Sequence, residues 1–279
     1  MRTLVVHTGG IGDFLLTCPA IARLANDGPV TLLGRPDRLA LGVAGGIAEA
    51  AHDLDSVEFS SVFAQPSSRL RNFLAGFERA FVWMRDDDGA IERAFRESGV
   101  PEVRCFPGLP PGTWDRHASD YYAACVGESA APAFRLALAP GSPARDIVIH
   151  PGSGGRRKNW PAGEFEALAR LLSTRGRQIL WSAGPAEEGL SLPETGDRLP
   201  EMPLVALGHV LANTALYVGN DSGITHLAAS VGCPTLALFG PTDPRIWAPR
   251  GPQVRVIQGR PWPSPREVLM AIETESRFD

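Results

Sequence analysis

The residues with chemistry to offer concentrate in three glycine-rich stretches. The longest, I-V-I-H-P-G-S-G-G-R-R-K-N-W over residues 147–160, reads as a buried strand that Pro151 stops. A flexible turn of Gly152, Ser153, Gly154 and Gly155 follows, then the cations Arg156, Arg157 and Lys158. Trp160-Pro161 opens an amphipathic helix with Phe165, Leu168, Ala169 and Leu172 at helical spacing. Glycines let backbone N–H groups approach a ligand, a helix start carries partial positive charge, and lysine or arginine adds full charge. The chemistry offered is therefore that of a phosphate or diphosphate site, set against the plainer reading of an ordinary βα turn with solvated cations. Lys158 is followed by Asn159 and not by Ser or Thr, which excludes a Walker phosphate loop.

The second stretch, residues 217–227, runs Y-V-G-N-D-S-G-I-T-H-L. A strand ends at Gly219, and Asn220 and Asp221 sit at its carboxyl end, where ligand-facing residues of α/β sheets belong. Ser222 and Gly223 begin a helix whose N–H groups suit a phosphate. Asp221 suits sugar hydroxyls. His226, one helical turn after Ser222, is either a site residue or a helix-face histidine satisfied by a carbonyl.

The third stretch, H-T-G-G-I-G-D over residues 7–13, follows the first strand. Asp13 is either a functional carboxylate or a helix cap. The glycines run G-G-x-G and Arg35 follows the second strand, where a nicotinamide site needs an acidic residue, so a dinucleotide enzyme is not indicated.

These stretches need strands and helices to carry them. Strands are expected at 3–6, 30–33, 48–51, 80–84, 102–106, 147–150, 178–182, 204–207, 216–218, 235–239 and 254–257. Helices are expected at 14–24, from Pro36, and at 67–77, 89–98, 114–126 (capped by Thr113 or Asp115), 161–174, 186–190, 210–213, 224–230 and 264–274. Alternation of this kind implies parallel doubly wound sheets. The Ala- and Pro-rich stretch 129–145 lacks periodicity and sets a domain boundary near 140, giving domains 1–140 and 141–279, with ligands expected in a cleft between them. The acidic run Asp86-Asp87-Asp88 reads as a solvated helix cap and not a metal site.

Bulk composition narrows the classes. The 279 residues carry a net charge of −4, which argues against a nucleic-acid binder. Four cysteines stand without C-x-x-C spacing, as free thiols in a reducing compartment do. No apolar run is long enough to span a bilayer, and the N-terminus starts directly as a strand. The expected location is cytoplasmic, with contact at the inner membrane surface left open.

Three blocks resemble glycosyltransferase family 9, the ADP-heptose lipopolysaccharide heptosyltransferases: Gly12-Asp13 with Leu16, Thr17 and Pro19; Lys158-Asn159-Trp160-Pro161; and Asn220-Asp221-Ser222-Gly223 with His226, followed by residues 239–244, F-G-P-T-D-P. The resemblance implies the GT-B architecture, two facing Rossmann-like domains with the acceptor on the first and the nucleotide sugar on the second. It implies inversion at the sugar carbon without a metal or other cofactor. Asp13 matches the family's general base, Lys158 its diphosphate lysine and Asp221 its donor-sugar contact. Ser222 and Gly223 would offer N–H groups to the diphosphate, with Ser153, Arg157 and His226 as further donor contacts. Gly12, Thr17 and Arg35 fall on the acceptor side. The implied donor is a nucleoside-diphosphate sugar, ADP-heptose first, and the acceptor a glycan, glycolipid or small molecule. The chain is short for the family, mainly in its first half. Alternatives are a non-catalytic nucleotide-sugar-binding protein and a GT-B-like epimerase or hydrolase.

Overall fold

The computed structural model describes residues 1–139, 146–184 and 193–274. The chain divides into two compact units, Met1–Pro132 and Ala133–Asp279.

In the first unit the apolar runs form a parallel sheet: β1 (Thr3–His7), β2 (Val30–Gly34), β3 (Ala50–Asp53), β4 (Arg79–Trp83) and β5 (Glu102–Phe106), in the order β3-β2-β1-β4-β5. Every residue of β1 and β4 is buried, as expected of strands covered on both faces. The helices are α1 (Ile11–Ala25), α2 (Pro36–Ala44), α3 (Ser68–Leu74), α4 (Ala90–Glu97) and α5 (Ala118–Cys125), joined by 3₁₀ turns at Asp55–Val57 and Phe59–Phe63. One face of the sheet packs on Phe59, Leu70, Leu74, Ile91 and Phe95. Strand order reverses between β1 and β4, so the loop after β1, which carries Gly9 and Gly10, leaves the sheet at its switch point.

The second unit repeats the plan with β6 (Ile147–His150), β7 (Ile179–Trp181), β8 (Asp197–Arg198), β9 (Leu216–Asn220), β10 (Thr235–Phe239) and β11 (Val254–Gln258), in the order β11-β10-β9-β6-β7-β8. All pairs are parallel. Its helices are α6 (Ala162–Ser173), α7 (Leu204–Ala212), α8 (Gly223–Ser230), α9 (Pro244–Trp247) and α10 (Pro265–Glu273). Trp160, Phe165, Leu168, Trp181 and Val268 fill the core over one face. Here the switch point lies between β6 and β9, the two strands that lead into the chemistry-bearing stretches.

Several expectations need correction. Residues 204–207 are not a strand but the first turn of α7, with Leu207, Gly208 and Leu211 buried. A four-residue apolar run has no period of its own, and here it continues as a helix. Helix α5 starts at Ala118, capped by His117, whose ring accepts from Ser119 N at 3.2 Å, so neither Thr113 nor Asp115 is its cap. Residues 133–139 go with the second unit: Leu136 and Leu138 are buried, and Leu136 N donates to Ser230 O at 2.7 Å. The expected helix at 186–190 lies outside the described residues.

The acidic run is a cap. Asp86 accepts from Ile91 N and Glu92 N at 2.9 and 3.0 Å, and Asp88 from Ala90 N at 3.2 Å. Cys18, Cys125 and Cys233 are buried free thiols, and Cys105 is half-buried.

Candidate functional site

In the second unit the two loops at the switch point meet. The strand pairing of β6 with β9 ends at His150 opposite Gly219. Beyond it one loop runs through Gly152, Ser153 and Gly155 into a 3₁₀ turn, Arg156–Lys158. The other passes Asp221 into α8. Lys158 Nζ lies 2.8 Å from Asp221 Oδ2. The Asp221 side chain is 6% exposed and that of Lys158 41% exposed. Apart from this ion pair, Asp221 Oδ2 is a buried oxygen with no hydrogen-bond donor among the described residues.

Around the pair, Ser222 is the N-cap of α8 and Gly223 its first residue; Ser222 Oγ accepts from Thr225 N at 3.3 Å. Thr225 is buried, and its hydroxyl donates to Asn220 O. The helix thus starts with its first N–H groups turned toward the same end of the sheet as Lys158. His226 is buried on α8, 7% exposed. Ser153 turns inward: its hydroxyl lies 2.5 Å from Asn159 Oδ1 and 2.8 Å from Gly155 O, so it braces the glycine turn. Arg157 is exposed on the 3₁₀ turn. The structure brings Lys158, Asp221, Ser222 and Gly223 together and gives Ser153 an internal bracing role.

The sequence places Asn220 with Asp221 at the ligand-facing end of the strand but assigns it no role of its own. It is fully buried, and its side chain bonds to the opposite loop three times: Oδ1 accepts from Trp160 N at 2.9 Å, and Nδ2 donates to Pro151 O at 2.8 Å and Gly152 O at 3.4 Å. Its place immediately before Asp221 was the available signal.

In the first unit Asp13 occupies the third position of α1 and reaches back to the helix start, where Gly10 N donates to its Oδ2 at 2.9 Å. A side chain at Gly9 would come within 2.8 Å of the His7 ring and 3.0 Å of Asp13 Cβ, so glycine is required for the turn to close this tightly. Arg38 donates through Nη1 to Gly9 O and pins the turn from α2. His7 is buried, its Nε2 has no hydrogen-bond partner among the described residues, and burial followed by the Arg38 charge holds its pKa down to about 4. The imidazole is therefore neutral at physiological pH. Thr17 donates to Asp13 O at 2.8 Å from within the helix. Burial, and next the charge of the Asp13 carboxylate, raise the pKa of Tyr122, whose hydroxyl donates to Gly108 O at 2.9 Å. Gly12 is in the first turn of α1, and Arg35 is the exposed N-cap residue of α2.

Among the described residues no group of three or more His, Cys, Asp or Glu side chains is arranged to hold a metal ion, and no helix is long and apolar enough to cross a membrane.

Comparison with known proteins bears on this arrangement. The family described as glycosyltransferase family 9 (heptosyltransferase) matches residues 118–274. Lipopolysaccharide heptosyltransferase 1 of Pseudomonas aeruginosa is 35% identical over 114 residues, which are 38% of this chain and 31% of that protein. The matched stretch spans about a third of the length of such curated relatives. Among solved structures, E. coli ADP-heptose lps heptosyltransferase II superimposes with a TM-score of 0.78 at 19% identity, covering 98% of both chains. The E. coli heptosyltransferase WaaC with ADP gives a TM-score of 0.73 at 18% identity over 98% of this chain and 99% of that one. That likeness establishes the GT-B fold.

Proposed function

This chain belongs to glycosyltransferase family 9, and from that premise we propose that it is an inverting, metal-independent glycosyltransferase that moves a sugar from a nucleoside diphosphate to an acceptor hydroxyl. The observation that carries the reading is the Lys158–Asp221 ion pair at the switch point of the second sheet. ADP-heptose is the donor to test first. The relatives are lipopolysaccharide heptosyltransferases, and a solved neighbour is described with ADP. Work in lipopolysaccharide or surface-glycan synthesis, on the cytoplasmic side of the membrane, is part of the same proposal.

The second unit takes the donor. Lys158 meets the diphosphate, and the N–H groups at Ser222 and Gly223 add partial positive charge at the start of α8. When the diphosphate draws Lys158 away, the Asp221 carboxylate loses its counter-ion and takes the sugar hydroxyls instead. As the bond between sugar and diphosphate breaks, negative charge grows on the departing oxygen, and Lys158 stabilises it. The first unit supplies the base. Asp13, held by Gly10 N–H, accepts the proton of the acceptor hydroxyl while that oxygen attacks the anomeric carbon from the face opposite the diphosphate. One displacement from the opposite face inverts the configuration.

Titration calorimetry of the purified chain with ADP, UDP, GDP and dTDP, without and then with magnesium, tests the donor half. Transfer from ADP-heptose to heptose-free lipopolysaccharide, followed by ADP release and product anomer, tests the rest. Selective ADP binding that ignores magnesium supports the reading. Another preferred base removes the heptose assignment. Donor consumption without acceptor favours a hydrolase or epimerase, and binding without any turnover favours a non-catalytic nucleotide-sugar-binding protein.

A further inference from the structure

We propose that Asn220 is the positioning residue of the donor site, which fixes the loop carrying Lys158 to the strand carrying Asp221. The inference rests on the donor-site reading above and adds a residue to it.

The ladder between β6 and β9 cannot continue past His150 and Gly219. β6 and β9 pair in register from Ile147 with Leu216 to His150 with Gly219. The next rung falls at Asn220 opposite Pro151. Proline has no N–H to give. At this rung the side chain of Asn220 takes over, with Nδ2 on Pro151 O and Gly152 O. The same amide carries an acceptor, and Oδ1 takes Trp160 N at the far end of the loop. One side chain thus ties both ends of the turn that holds Ser153 and Lys158.

A primary amide offers a two-hydrogen donor and an acceptor from one carbon, which is what the two carbonyls and one N–H around Asn220 require. Aspartate keeps the acceptor but faces two carbonyl oxygens with no proton. A hydrophobe leaves three backbone groups unpaired at a position where Asn220 is 0% exposed. The far end of the loop is further held by the Trp160 indole, whose Nε1 donates to Pro263 O at 2.9 Å, so the loop is pinned to the sheet at Asn220 and to the core at Trp160. From Trp160 back to Lys158 is two residues. Anchoring Trp160 N therefore fixes the backbone near Lys158, whose ammonium meets Asp221, the residue next to the anchor.

The test is a mutant cycle read on ADP binding by calorimetry, with Asn220→Ala, Lys158→Ala and the double variant, and with amide hydrogen exchange at Trp160 as a second readout. Asn220→Ala should weaken ADP binding about tenfold. Lys158→Ala should weaken binding in the parent chain and add little in the Asn220→Ala background, because a misplaced lysine has little left to lose. Trp160 N–H should exchange faster in Asn220→Ala while the amides of β10 keep their protection. Equal losses from Lys158→Ala in both backgrounds, or parental ADP affinity in a folded Asn220→Ala, would overturn the proposal. Asn220→Asp, which keeps volume and the acceptor, should retain Trp160 protection and still bind ADP weakly. Unfolding of both variants would also count against it, since the role assigned is confined to the loop. If the parent chain does not bind ADP, the donor reading fails, and the exchange at Trp160 alone decides the anchoring role.

Discussion

Lys158 and Asp221 are 2.8 Å apart but unequally placed, the lysine 41% exposed and the aspartate 6% exposed. A ligand arriving from solvent reaches the ammonium far more easily than the carboxylate. Under the proposed donor reading the pair is an occupied seat, for which a diphosphate would compete with Asp221 for Lys158. Asp221→Asn frees the lysine, so ADP affinity should rise or stay level while sugar transfer falls. Lys158→Met removes the cation, so ADP affinity should fall about tenfold. It also leaves Asp221 buried without its counter-ion, at a cost of about 1–2 kcal/mol once the lysine's exposure is allowed for. Calorimetry and urea unfolding of the two variants separate these effects. Equal loss of ADP binding in both would mean that the two groups cooperate on the nucleotide and do not compete.

Asp13 gives a different signature. Its Oδ2 accepts from Gly10 N, and an asparagine in its place still offers an oxygen to that N–H. Asp13→Asn should therefore melt within about 0.5 kcal/mol of the parent and bind ADP unchanged, since its contacts lie in the first unit. Turnover should fall on the order of 100- to 10,000-fold, the span typical of a lost general base. A variant that keeps full turnover would remove Asp13 from the chemistry.

Much of this was legible in the sequence because the signals were local. Glycine turns directly after buried strands marked the ends of β1 and β6, and the residues after β9 marked the second loop at that switch point. Asp86 was readable as a cap from its place before a helix, and it caps α4. What escaped depended on contacts distant in the chain. Asn220 reaches residues 60 and 69 positions away, and no local pattern announces such a bond. Residues 204–207 were ambiguous because an apolar run of that length suits a buried strand as well as a helix turn, and only packing decides. Ser153 has the residue type of a ligand contact but spends its hydroxyl on the turn. Arg38 likewise holds the Gly9 carbonyl from 29 positions away, and no local pattern announces that bond.

The acidic run offers a test against a metal role. Asp86 satisfies two N–H groups at the start of α4, and Asp87 makes only a 4.0 Å approach to Arg85. Asp86→Ala should cost about 1 kcal/mol, the usual loss of a helix cap. Asp87→Ala should be neutral within about 0.5 kcal/mol. Neither should alter magnesium dependence of transfer. Thermal unfolding monitored by circular dichroism reads the first two, and a magnesium titration of activity reads the third.

His7 predicts the pH response of the first unit. Burial and Arg38 hold its pKa at about 4 in the folded chain, against 6.5 when unfolded. The unfolded chain therefore binds a proton that the folded chain refuses. The stability at stake is fully present above about pH 6.5 and is lost as pH falls toward 4. A full shift of this size corresponds to about 3 kcal/mol, an upper figure. His7→Leu removes the titration but keeps an apolar group against Phe14, whose ring lies 5.5 Å from the imidazole. Urea unfolding at pH 7.5 and pH 4.5 should show a smaller loss in the variant than in the parent. Other groups also lose stability in acid, among them Asp27 and Glu267, whose pKa values are lowered by hydrogen bonds. Those losses are common to both chains and cancel in the comparison. An identical loss in the two proteins would mean that His7 binds its proton equally well in the folded and unfolded chains, so that its burial does not resist protonation.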